Sequence, residues 1–118
     1  MKYILLDTNF ILSCIRKKID FFEELQSMGF SVIIPKQVIE EIKGLSKSKT
    51  EAEVALKILE KSEFRKITLH GKNVDNGIVK VAKENEGWII ATLDKEIKGK
   101  IKNQKLTIRG EKKLEITA

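Results

Sequence analysis

Short runs of unbroken apolar side chains, alternating with helix-period stretches, constrain this chain's fold more than any other feature. Tyr3-Ile4-Leu5-Leu6 runs straight into Asp7, Val32-Ile33-Ile34 into Pro35, and Trp88-Ile89-Ile90-Ala91-Thr92 ends two residues before Asp94. A strand that is apolar on both faces must be covered on both, which is the condition of a parallel sheet between helices. The intervening stretches supply those helices. Phe10, Ile11, Cys14 and Ile15 make one stripe; Phe21, Phe22, Leu25 and Met28 make another, opened by Asp20 and closed by Gly29. Val38, Ile39, Ile42 and Leu45 follow Pro35, which is expected in the first helical turn. Ala52, Ala55, Leu56 and Leu59 follow a Thr50/Glu53 capping-box pattern. Val74, Ile78, Val81 and Ala82 form a later stripe, and Ile97 and Ile101 a short one behind Asp94. Phe64–Leu69 and Leu106–Ile108 read as further strands, with a charged tail after them. The pattern predicts one domain over residues 1–118: an α/β/α three-layer sandwich around a parallel sheet of four or five strands.

Composition narrows the chemistry. The chain has 118 residues with one Cys and one His, so it can form no internal disulfide and no Cys/His zinc cluster. Cys14 reads as a small core residue and His70 as a turn residue. No apolar run approaches the roughly 20 residues of a membrane span, and MKYILLDTN lacks a secretory h-region. The expectation is a reduced, cytoplasmic protein that does not engage a membrane. The net charge is +6, and its excess lies in residues 95–113. There Lys95, Lys98, Lys100, Lys102, Lys105, Arg109, Lys112 and Lys113 face only Glu96 and Glu111. Such a stripe is either a solvated face or the footprint of a phosphate-backbone binder, with Lys95, Lys98, Lys100, Lys102, Lys105 and Arg109 as the candidate contacts. The Lys43–Lys49 loop lacks the spacing of a phosphate-binding P-loop.

Four carboxylates stand where this fold would place a site. In open α/β sheets, ligands bind outside the carboxyl ends of the strands. Asp7 follows the first strand directly and Asp94 follows the Trp88 strand. With Val38 at zero on a helical wheel, Glu41 falls at about −60°, beside the apolar face, and Glu40 at about 200°, in solvent. With Ile78 at zero, Asp75 falls at about 60°, inside the apolar stripe. Each acid has a structural alternative. Asp7, Asp75 and Asp94 suit helix caps or first turns, and Glu41 suits a solvated border. Taken together, a cluster of carboxylates needs compensating charge, and an all-oxygen ligand set favours Mg²⁺ or Mn²⁺. One or two such ions beside a basic stripe are what phosphodiester hydrolysis requires.

Four blocks in order, Leu5-Leu6-Asp7-Thr8-Asn9, Pro35…Val38-Ile39-Glu40-Glu41-Ile42, Asp75…Ile78-Val79…Ala82 and Ala91-Thr92-Leu93-Asp94-Lys95-Glu96-Ile97, resemble a PIN domain. Asp94, the basic helix after it, a short strand and Arg109 resemble archaeal relatives of the PIN endonucleases that process small-subunit ribosomal RNA. VapC-type toxin ribonucleases are the second similar branch. The resemblance implies an RNA-hydrolysing enzyme that leaves 5′-phosphate and 3′-hydroxyl ends. It implies Asp7, Glu41, Asp75 and Asp94 as catalytic metal ligands, with Asn9 and Thr92 holding the first and last acids. The implied cofactor is one or two Mg²⁺ or Mn²⁺ ions. The implied partners are structured ribosomal precursor RNA, a second copy of the chain, and an antitoxin or a ribosome-assembly protein. Asn76 departs from the ribosomal branch, where a second acid often follows the third one, and this puts a second ion in doubt. A non-cutting PIN module that holds RNA or protein is the alternative of a different class. A receiver domain would need an acid pair after the first strand, and a dehalogenase-like phosphatase would need Asp-x-Asp; Asp7-Thr8-Asn9 supplies neither.

Overall fold

The computed structural model describes residues 2–118. The chain runs β1 (Lys2–Leu6), α1 (Thr8–Arg16), α2 (Phe21–Ser27), β2 (Phe30–Pro35), α3 (Lys36–Leu45), α4 (Thr50–Lys61), β3 (Arg65–Ile67), α5 (Val74–Glu84), β4 (Ile89–Ala91), α6 (Lys95–Lys100), β5 (Lys105–Arg109) and β6 (Lys113–Thr117). All six strands join one sheet in the order β3-β2-β1-β4-β5-β6. The pairs from β3 across to β5 are parallel, with Leu5 level with Ile33 and Leu6 level with Ala91.

The apolar runs behave as two-faced strands. Ile4, Leu6, Ile34, Ile89 and Ala91 point into a core shared with Phe10, Leu25, Val38, Ile42 and Ala55, so α1 to α4 cover that face. Leu5, Ile33 and Ile90 alternate to the other face and meet Ile78, Ala82, Ile97 and Ile101 of α5, α6 and the residue after it. Burying one such Leu or Ile stabilises the fold by about 1.5–3 kcal/mol. Cys14 is buried in the first of these cores. Among the described residues no helix is long and apolar enough to cross a membrane.

Three details differ from the sequence expectation. The charged tail is a sixth strand. It turns back through Gly110 at φ 63° and pairs antiparallel with β5. Only Leu114 on it is buried while Ile116 stays exposed, so an edge strand with one apolar contact carries too little pattern to read. The Thr50/Glu53 capping box does not form: Thr50 is already helical and Lys49 is the N-cap, without a side-chain bond. Pro35 ends β2 and serves as the N-cap of α3, one position earlier than expected.

The order of the strands places the site. The chain leaves central β1 for β2 and β3 on one side, then crosses back to β4 on the other. The strand order therefore reverses between β1 and β4, where the loops leaving both strands part to opposite faces and open a crevice. Asp7 stands at the carboxyl end of β1, and Thr92 to Asp94 at that of β4.

Candidate functional site

Asp7 is the most buried of the four acids. It is only 5% exposed. Its Oδ1 accepts from the Thr8 amide at 2.8 Å and its Oδ2 from the Thr92 hydroxyl at 2.9 Å. The Thr92 oxygen in turn accepts from the Asp94 amide at 3.1 Å. A single threonine, itself fully buried, therefore sets the spacing between the loops that follow β1 and β4. Burial raises the Asp7 pKa above its ordinary value. The bonds from Thr92 and Thr8 oppose that rise, and the charges of Asp75 and Glu41 add to it. The Asp7 bonds come from Thr8 and Thr92, and the exposed Asn9 is not among their donors.

Asp94 is the N-cap of α6. Its Oδ1 accepts from the Glu96 amide at 2.8 Å and the Ile97 amide at 3.4 Å, which leaves Oδ2 unused by these bonds. The helix-cap alternative is thus real for Asp94, and one oxygen remains for other chemistry. Asp75 lies in the first turn of α5, but the cap is Asn73, whose side chain accepts from the Asn76 amide at 2.9 Å. Asp75 is free of capping duty. It is also exposed, although its wheel position lies within the apolar stripe. The buried face of α5 begins only at Gly77, so a wheel angle that is interior beside Ile78 is open at Asp75 in the first turn. Partial desolvation raises the Asp75 pKa, and the charges of Asp94, Glu41 and Glu96 raise it further, while Lys100 lowers it. Glu41 is exposed on α3, close enough to act electrostatically on both Asp7 and Asp75.

The four acids thus share one electrostatic neighbourhood at the carboxyl end of the sheet. They are not drawn into one tight cage: among the described residues no three His, Cys, Asp or Glu side chains are grouped as ligands of a single ion. The donor chemistry nevertheless fits a hard divalent cation. It is all oxygen, and among the described residues Asp94 Oδ2 takes no hydrogen bond and no basic side chain offsets Asp7.

A cleft of about 120 Å³ opens beside Asp75, lined also by Asn73, Asn76, Val79, Glu96, Ile97 and Lys100. Glu96 is a fifth acid, which in the sequence alone counts only as charge; its place in the first turn of α6, two residues after Asp94, is the signal that points to it. Two supports have no signature in the local sequence pattern. Gln37 on α3 clamps the backbone of Leu69 with bonds of 2.9 and 3.0 Å, which fixes the segment leading to α5. Gly77 lets α5 approach that segment, since a Cβ there would lie 2.7 Å from Leu69 Cβ. A larger cavity, about 460 Å³ beside Tyr3, Phe30 and Arg65, lies at the opposite end of the sheet from the acids.

The basic segment is not uniformly available to a ligand. Lys105 is buried at 9% exposure, and its ammonium donates to the Ile101 carbonyl at 3.2 Å, so it offers no surface contact. Arg109 pairs with Glu115 at 3.0 Å, and Lys98 reaches the Thr107 hydroxyl at 3.4 Å. Lys95, Lys100 and Lys102 are exposed.

Comparison with known proteins agrees with this architecture. Residues 4–110 match the family described as a PIN like domain. Ribonuclease VapC4 of Methanocaldococcus jannaschii is 31% identical, over 92% of this chain and 88% of its own length. The rRNA-processing protein fcf1 of Schizosaccharomyces pombe is 30% identical over 85% of this chain, which spans only 53% of that protein. The solved structure of the PIN domain endonuclease Utp24 superposes with a TM-score of 0.80 at 26% identity, covering 97% of this chain and 90% of that one. With its acids at the switch point of a mostly parallel sheet and this match across nearly its whole length, the chain belongs to the PIN-like domain family.

Proposed function

We propose that the chain is a divalent-metal-dependent endoribonuclease that hydrolyses RNA phosphodiester bonds in ribosomal RNA processing, with Mg²⁺ or Mn²⁺ as cofactor. The observation that carries this reading is Asp7: a buried carboxylate at the switch point, whose charge is opposed by Asp75 and Glu41 and, among the described residues, compensated by no basic side chain. Asp7, Glu41, Asp75 and Asp94 would hold one or two ions, which would supply Lewis-acid activation of water and neutralise charge at the scissile phosphate. The chain's own residues do the positioning. Thr92 holds Asp7 and the Asp94 amide at a fixed spacing. Gln37 and Gly77 fix the segment before α5 and its packing, and with them the position of Asp75 in the first turn. Asn9, exposed two residues after Asp7, would steady a ligand bound beside the first acid. Lys100, which lines the cleft beside Asp75, and the exposed Lys95 and Lys102 would act as counter-charges for the RNA backbone.

A toxin-type ribonuclease is a second reading, favoured by one observation. The VapC4 ribonuclease is matched over 88% of its length, whereas fcf1 is matched over 53%. An antitoxin would then be the partner; a ribosome-assembly protein or a second copy of the chain would be partners in the first reading. Cleavage of end-labelled ribosomal precursor RNA with Mn²⁺ or Mg²⁺, wild type against Asp94→Asn, tests the proposal. Discrete metal-dependent cuts, lost in the variant, are expected. RNA bound but never cut would favour a non-cutting module. Growth arrest on expression, with the precursor left intact, would favour the toxin reading.

A further inference from the structure

The groove between α5 and α6 does not end at the acids. Asp75, Val79 and Lys83 are spaced four apart along α5 and so share one face of it. Beyond the acid cleft the groove reaches a second cavity of about 350 Å³, lined by Lys83, Glu86, Lys100, Lys102 and Asn103. Lys100 lines both cavities, which makes them neighbours along one track. From Asp75 to Lys83 the track is ~12 Å long, at 1.5 Å per helical residue.

The cavity is cationic and firmly built. Its three lysines face one glutamate, and among the described residues none of the three lies within ion-pair distance of a carboxylate. Asn103, 1% exposed, donates from Nδ2 to the Asn85 carbonyl at 2.9 Å and the Trp88 carbonyl at 3.0 Å. This double donation fixes the amide's orientation and ties the end of α5 to the approaches of β4 and β5. It also leaves Oδ1 as a buried acceptor without a partner. Among the described residues these three cations make no ion pair, which suits a strand that brings phosphates, as a sugar–phosphate backbone does.

We propose that this cavity is a subsite for the backbone of the RNA strand as it leaves the acid cleft, with Lys83, Lys100 and Lys102 holding a phosphate there. The proposal rests on the endoribonuclease reading. Lys83 lies outside the basic 95–113 segment, and only the packing of α5 on α6 brings it to the others.

The test compares Lys83→Gln with Lys61→Gln, the latter removing an equal charge from the last turn of α4 on the opposite face of the sheet. Binding of a fluorescent single-stranded oligoribonucleotide is followed by anisotropy in EDTA, across a series of salt concentrations. Thermal melts confirm that both variants fold. Removing one lysine–phosphate interaction should weaken binding and reduce the slope of log affinity against log salt by about 0.7 in Lys83→Gln only. Equal losses in the two variants would assign the effect to net charge and overturn the subsite. An unchanged Lys83→Gln would overturn it too. A parallel cleavage assay separates the two readings. Metal-dependent cuts by the wild type, with Lys83→Gln binding unchanged, sink the subsite alone. A wild type that neither binds nor cuts RNA sinks both.

Discussion

Asp7 occupies a place where its own charge is unfavourable, and this gives the residue scale its clearest prediction. Its pKa lies above the ordinary 3.8, chiefly through burial. The folded state therefore binds its proton more tightly than the unfolded chain does. Stability from this group is full below pH 3.8 and is lost as pH rises through the folded value. Asp7→Asn removes the ionised form while its amide oxygen can still accept from Thr8 or Thr92. In EDTA at neutral pH the variant should melt higher than wild type, and the gap should close towards pH 3.8; a variant that melts lower at neutral pH would contradict this. Its RNA cleavage should be abolished. Lys105 makes the opposite case. Its ammonium is spent on the Ile101 carbonyl inside the fold, so Lys105→Met should leave RNA affinity unchanged in the anisotropy titration, although the residue sits in the most basic stretch of the chain. The acids were legible as residues because Asp7 and Asp94 follow apolar runs, Asp75 breaks a stripe and Glu41 borders one. Which of them is buried was not. Asp75 reads as enclosed by its wheel angle and is exposed, since a wheel does not show where along the helix burial begins.

At the scale of the element, α5 is set by a contact no helical pattern contains. Gly77 has no room for a Cβ, with Leu69 Cβ 2.7 Å from where it would stand. Gly77→Ala gains about 1 kcal/mol of helix propensity, but overpacking costs about 1–3 kcal/mol. Loss of thermal stability is expected, with a steeper loss of cleavage because Asp75 is displaced. Removing the obstacle itself, Leu69→Gly in the Gly77→Ala background, deletes the clashing Cβ and should restore part of the activity measured on precursor RNA. The helix ends also divide by legibility. Asp20 and Asp94 cap as their positions in sequence suggest, with bonds from the amides of Glu23 and of Glu96 and Ile97. The Thr50/Glu53 pair does not, because the helix starts one residue early and Thr50 is already inside it.

For the whole molecule, the charge balance and the sheet order act together. The net +6 is concentrated by sequence, but folding withdraws part of it, since Lys105 is buried against the Ile101 carbonyl and Arg109 pairs with Glu115. Reversing Lys98, Lys100 and Lys102 to Glu should weaken RNA binding and flatten its salt dependence by about 0.7 in slope for each phosphate no longer neutralised; an unchanged slope would show that the strand runs elsewhere. The sequence by itself determined the alternation of buried strands with amphipathic helices, because burial on two faces demands unbroken apolar runs and burial on one demands a 3.6-residue stripe. It also determined which carboxylates stand at element ends. Only the tertiary structure decided that β1 and β4 lie side by side, that Thr92 bridges Asp7 to the Asp94 backbone, and that Lys83 joins Lys100 and Lys102. Those are contacts between residues distant in the chain. Strand order and helix packing set them, and a local pattern carries no information about either.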